Sequence, residues 1–181
     1  QGYTGTYANP AATFGIVNGR HTIISAQGID PNTCGGLPMI PPGSTSSARL
    51  GNSSTGAQGE QLRYTMTVSA QNSLFIYKYA CVLQDPGHTP AQQPVFQMRL
   101  LNQAGTQING NCGAYTVYAG QAGQNFQTCG GVKWLPWTIV GVNLQAYIGQ
   151  NVTIEFTTKD CSLSGHYGYA YVVADCMPLT L

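Results

Sequence analysis

Charge is what this sequence has least of. Asp, Glu, Lys and Arg make up 7% of its 181 residues, against roughly a quarter in an ordinary soluble domain. The net charge is +1, so no electrostatic field gathers nucleic acid or an anionic membrane surface, and neither is expected as a partner. Helix-favouring residues are as thin: Glu60 and Glu155 are the glutamates, and Lys78, Lys133 and Lys159 the lysines. No apolar run approaches the about 20 residues that cross a bilayer, so membrane insertion is not expected. No HExxH, no nucleophile-elbow serine and no CxxC pair occurs. Zinc-protease, hydrolase and thioredoxin-type chemistry therefore have no foothold, and an enzyme is not expected.

What is present favours strands and turns. There are 23 Gly, 10 Pro and 11 Tyr, with Val, Thr and Asn plentiful. Period-2 alternation is clearest in Gln61–Ser69, where Leu62, Tyr64, Met66 and Val68 oppose Gln61, Arg63, Thr65 and Thr67. It recurs in Val95–Asn102 and in Asn151–Lys159, where Val152, Ile154 and Phe156 oppose Thr153, Glu155 and Thr157. Leu74–Leu83 is apolar on nearly both faces, as in a central strand. Further strands are predicted at Thr13–Val17, Ser47–Leu50, Ala114–Ala119, Lys133–Leu144 and Tyr167–Asp175, with at most a helical turn at Leu144–Ile148. The spacing predicts an all-β jelly-roll sandwich of two antiparallel sheets. One domain over 1–181 is expected, with an irregular N-terminal layer over 1–48 and the sandwich core over 49–177. The start at Gln1 and the stop at Met177-Pro178-Leu179-Thr180-Leu181 read as the edges of a module in a longer chain.

Six cysteines point to an oxidising, extracellular compartment and a disulfide-stapled fold. Of the fifteen possible pairings, proximity in the chain suggests Cys112 with Cys129 and Cys161 with Cys176, leaving Cys34 with Cys81.

Three stretches carry a resemblance. The first is Arg49-Leu50-Gly51-Asn52, followed by Leu83-Gln84-Asp85-Pro86-Gly87-His88 and Gln93-Pro94-Val95-Phe96. The second is Trp137-Thr138-Ile139-Val140-Gly141-Val142-Asn143-Leu144 with Tyr147-Ile148-Gly149-Gln150. The third runs from Asp160-Cys161-Ser162 through Gly165-His166-Tyr167-Gly168-Tyr169-Ala170-Tyr171. Over 49–177 the chain resembles a jelly-roll module of large secreted Bacteroidota surface proteins, associated with PKD repeats and gliding-motility sorting domains. More loosely it resembles MAM domains and carbohydrate-binding modules. The resemblance implies a secreted, cell-surface protein and, near the last strand, a structural calcium. Asp175 is the nearest candidate for that ion, although Val173 stands where some relatives carry Asp.

Two loops hold most of the reactive side chains. Asp85 and His88 follow the Leu74–Leu83 strand, and Asp160 and His166 follow Asn151–Lys159. If the two strands run the same way, the four converge as a ligand site. Two carboxylates with two imidazoles suit a transition ion, whereas Asp85, Asp160 and Asp175 suit calcium. The structural alternative is that Asp85 caps its Pro-Gly turn and each histidine bonds a loop carbonyl. Trp134, before Leu135-Pro136, is a candidate sugar-stacking residue; the stripe Tyr167, Tyr169 and Tyr171 is expected to be core. The sequons at Asn52 and Asn151 are read as chance. The reading is a non-catalytic recognition module, an adhesin-like binder of a polysaccharide or glycan surface, or of neighbouring modules. The alternative is a structural spacer or fibre subunit.

Overall fold

In the computed structural model, residues 1–108 and 113–179 are described. Strands form at the segments the sequence marks: β5 (Gln58–Thr67), β6 (Leu74–Gln84), β7 (Val95–Asn102), β8 (Ala114–Tyr118), β10 (Val132–Asn143), β11 (Asn151–Lys159) and β12 (Gly168–Met177). β4 (Ser47–Leu50) lies where predicted, and the edge strand near Thr13 shortens to β2 (Thr13–Phe14). Three strands carry too little alternation to be foreseen: β1 (Gly2–Thr6), β3 (His21–Ile24) and β9 (Gln127–Cys129). β1 is masked by its glycines. A Cβ at Gly5 would stand 1.9 Å from the Asn9 carbonyl oxygen, so glycine is there for close approach rather than for flexibility. The helical turn expected near Leu144 is a 3₁₀ turn at Gln145–Tyr147.

The strands make a jelly-roll sandwich of two six-stranded antiparallel sheets, β2-β1-β5-β11-β7-β8 and β3-β4-β12-β6-β10-β9. Between them lies the main core, with Tyr77, Tyr79, Cys81 and Leu83 of β6 facing Phe96, Met98, Ile154 and Phe156 of the other sheet. Alternation sends Ala80 and Val82 to the opposite side of β6, where a second core forms with Leu37, Trp134, Tyr167, Tyr169 and Tyr171. The tyrosine stripe is therefore buried, as expected, but outside the sandwich. Its small neighbours Ala170 and Val172 fill the interior.

What buries the stripe is the turn-rich N-terminal segment. Asp30, 1% exposed, accepts hydrogen bonds from the Tyr169 hydroxyl (2.8 Å) and the Tyr171 hydroxyl (2.6 Å). Trp137 donates its indole N–H to the Pro38 carbonyl at 2.7 Å. Gly36 lies on the ring of Trp134, where a Cβ would come within 2.5 Å.

The disulfide pattern corrects the pairing drawn from proximity. Cys34 is bonded to Cys129, with a Cα separation of 5.6 Å. That bond removes both the Cys34–Cys81 and the Cys112–Cys129 pairings; Cys112 itself lies outside the described residues. Cys81, Cys161 and Cys176 are free thiols. Strand parity explains the first correction, because Cys81 points into the sandwich while Cys34 sits in the cover on the far side of the same sheet. Distance explains the failure of Cys161–Cys176. Gly168 pairs with Leu83 and Cys176 with Phe75, so eight residues of extended strand, about 26 Å, separate the two ends of β12.

Candidate functional site

The two end loops do meet, but not through all the residues expected. The loop after β6 and the turn between β11 and β12 are tied together at several points. Tyr167 accepts from the Gln84 backbone N–H (3.0 Å), and the Gln84 side chain accepts from the Tyr167 N–H (3.0 Å). Ser162 donates its N–H to the Gln92 carbonyl at 3.1 Å. Across this junction His88 and His166 stack edge to face with ring centroids 5.3 Å apart. Beside them lies Cys161, fully buried, with Sγ 3.5 Å from His166 Nδ1. Nε2 of His88 is buried without a hydrogen-bond partner.

The carboxylates expected beside them support the loops instead. Asp85 Oδ1 accepts from the Gly87 N–H (3.1 Å) and the Gln93 side-chain amide (2.7 Å), the turn-capping alternative. Asp160, 2% exposed, accepts from the Gln58 N–H (2.9 Å) and the Gly168 N–H (3.1 Å). Burial pushes its carboxyl up to about 6, although both N–H groups pull it down. Asp175 of β12 pairs with Ile76 of β6, seven residues and about 23 Å of strand from Gly168, so it does not join the other two. It borders an apolar cleft of about 410 Å³ between the sheet edges, lined by Leu62, Tyr64, Phe75, Phe156 and Val172. Trp134 is 8% exposed beneath the cover and offers no stacking face.

A second arrangement escaped sequence reasoning because it needs the register. On the outer face of the β2-β1-β5-β11-β7-β8 sheet one row crosses all six strands: Phe14, Tyr3, Gln61, Thr157, Gln97 and Thr116. At the usual strand spacing it runs about 24 Å. The adjoining row is Arg63, Glu155 and Arg99. Arg63 Nε donates to Glu155 at 2.8 Å, and Arg99 Nε to its other oxygen at 2.8 Å. The carboxylate is wholly buried beneath guanidinium groups 30% and 35% exposed. Arg63 stacks over the Tyr3 ring at 4.6 Å, and Tyr3 meets Phe14 edge to face at 5.4 Å. Phe14 is 69% exposed. Gln97 donates to the Thr116 hydroxyl at 3.0 Å, while the Thr157 hydroxyl is buried without a partner. The sequence signal, seen only afterwards, is that three of its few charges sit on the polar phase of three strands. Along this face Gln61 (4% exposed), Thr157 (1%) and Glu155 are buried, Tyr3, Arg63, Gln97 and Arg99 are half-buried, and Phe14 and Thr116 at its ends are exposed.

No protein-family profile and no curated protein matches the chain. Among solved structures it is similar to TmCBM61 in complex with β-1,4-galactotriose, at 7% identity and TM-score 0.49, over 97% of this chain and 88% of that one. It is also similar to a Caldicellulosiruptor saccharolyticus CBM27-1 in complex with mannohexaose, at 10% identity and TM-score 0.38, over 87% and 85% of the two chains. The enzymatically active domain of bacteriophage CBA120 tailspike protein 4 aligns at 13% identity and TM-score 0.40, over 90% of this chain and 21% of that one. None of these likenesses identifies a residue of the site.

Proposed function

We propose that the protein is a non-catalytic, extracellular polysaccharide-binding module that lays an extended sugar chain across the partly exposed side chains on the outer face of this sheet. The observation that carries this reading is the six-strand row from Phe14 to Thr116 with its adjoining Arg63–Glu155–Arg99 row. Sugar rings offer apolar faces rimmed by hydroxyls. A strip of aromatic ring, amide, hydroxyl and guanidinium groups matches both, and pairing within the strip holds these groups in place before a ligand arrives. The positive excess of Arg63, Arg99 and Lys159 over Glu155 favours chains that carry acidic sugars.

A binding role rather than catalysis is supported by how the acidic side chains are engaged. Glu155 is held by two arginines, Glu60 by Arg20 and Thr158, Asp30 by two tyrosines, and Asp160 by backbone N–H groups. Secretion and display at a cell surface, with adhesion as the outcome of glycan binding, are part of the proposal; the Cys34–Cys129 bond and the charge-poor composition support them.

The test is affinity electrophoresis of the protein in gels containing acidic or neutral polysaccharides, beside Tyr3→Ala and Gln97→Ala. Retardation of the wild type that both substitutions weaken supports the reading. Equal retardation of all three proteins moves binding off this sheet, and no retardation in any gel rejects the reading in favour of a structural spacer.

A further inference from the structure

We propose that His88, Cys161 and His166 form a binding site for a transition-metal ion of the zinc class, independent of the sugar-binding face. One donor atom from each residue lies within 4.8 Å of the others, the one such group of histidine, cysteine and carboxylate ligands among the described residues. Zinc bonds of about 2.0 Å to nitrogen and 2.3 Å to sulfur place tetrahedral N and S donors about 3.5 Å apart. The Cys161 Sγ to His166 Nδ1 distance is 3.5 Å. The remaining contacts need to close by about an ångström, which a rotation of the His88 ring supplies from its loop.

The chemistry of the donors selects the ion. A thiolate with two imidazoles suits zinc or a neighbouring first-row ion and disfavours calcium, which takes six to eight oxygen ligands. Cys161 is a free thiol, fully buried, and its one hydrogen-bonding contact is His166. The buried Nε2 of His88 lacks any partner, an arrangement that costs stability unless something fills it. A metal ion relieves both and leaves a fourth coordination position for water.

The surroundings hold the donors in place. Asp85 fixes the turn that carries His88 through Gly87 and Gln93. Asp160 fixes the base of the β11–β12 turn, while the Cys161 N–H donates to the His166 carbonyl at 2.8 Å within that turn. These contacts let a three-donor site pre-form on two loops.

The experiment is anaerobic titration of the intact, chelator-treated protein, its Cys34–Cys129 bond left oxidised, with Co²⁺ and then Zn²⁺. One equivalent of Co²⁺ producing a thiolate-to-cobalt charge-transfer band, together with visible bands of a tetrahedral ion, is the expected result, and Zn²⁺ should displace it. Cys161→Ser should remove the charge-transfer band, and His88→Ala should weaken Zn²⁺ binding by more than the about tenfold to hundredfold that outer-shell changes cost. Cys176→Ser should leave the spectrum unchanged. Because His88 lies on a surface loop, its variant tests the site even if Cys161→Ser does not fold. A wild-type protein that binds no Co²⁺, a cobalt spectrum without the thiolate band, or unchanged binding in His88→Ala overturns the proposal.

Discussion

The two outer faces of the sandwich are built by the same alternation and end differently. On one sheet the outward positions are Tyr167, Tyr169, Tyr171 and Trp134, and the N-terminal segment seals them. On the other they are Gln61, Arg63, Thr157, Glu155, Gln97 and Arg99; Gln61, Thr157 and Glu155 are buried beneath their neighbours, while Arg63, Gln97 and Arg99 keep part of their surface exposed. Alternation says only that a strand has two sides. Whether the second side becomes core or surface depends on a segment elsewhere in the chain, here anchored by Asp30 and by Cys34.

The largest effect should come from releasing the cover. The Cys34–Cys129 bond closes a separation of 95 residues, and the chain-entropy estimate for a loop of that size is about 4.7 kcal/mol. Cys34→Ser with Cys129→Ser should lower stability by that order in urea denaturation and increase binding of an apolar dye. Affinity for polysaccharide should stay unchanged if the two faces are independent.

Next is a pH effect seated between the faces. Burial raises the Glu60 carboxyl to about 7 from its ordinary 4.5, outweighing Arg20 and Thr158. The folded state then holds its proton longer than the unfolded state. Stability from this group is full below about pH 4.5 and is lost as the pH rises to about 7, by about 3 kcal/mol. Stability of the wild type relative to Glu60→Gln should fall by that order over the window, read from urea midpoints.

Smaller is the break on the partly exposed face. Glu155→Gln leaves Arg63 and Arg99 without their shared carboxylate. Discounted for the partial exposure of both guanidinium groups, it should cost about 2 kcal/mol. Polysaccharide retardation should be lost, while near-ultraviolet dichroism from the covered tyrosines persists. Smallest is Tyr3→Ala, which removes one cation–π contact worth about 0.5–1 kcal/mol. It should weaken retardation with little shift in the thermal midpoint.

Much of this was legible in the residues, and the rest failed for identifiable reasons. Alternation gave β5, β7 and β11, a run apolar on nearly both faces gave β6, aromatic and apolar content gave β8, β10 and β12, and cross-strand packing of aromatic rings gave the burial of the tyrosine stripe. Gly2 and Gly5 hid β1, whose small residues serve close approach. Proximity misjudged the cysteines because a strand end and a strand face are not chain distances. The end loops did converge at His88 and His166, but Cys161, assigned in advance to a disulfide, was the third member. Asp85 and Asp160 turned inward to hold backbone N–H and amide groups. Trp134 could not be placed without knowing what lay above it. The Arg63–Glu155–Arg99 row depends on register across β5, β11 and β7, and alternation within one strand says nothing about register.

The most direct measurement is backbone amide NMR of the labelled protein during titration with oligosaccharides from a polysaccharide that retards it. The account predicts shifts concentrated at Tyr3, Gln61, Arg63, Gln97, Arg99 and Thr157, with the cover around Asp30 and Leu37 unmoved. Shifts confined to the cover or to the end loops, with the partly exposed face silent, would contradict it.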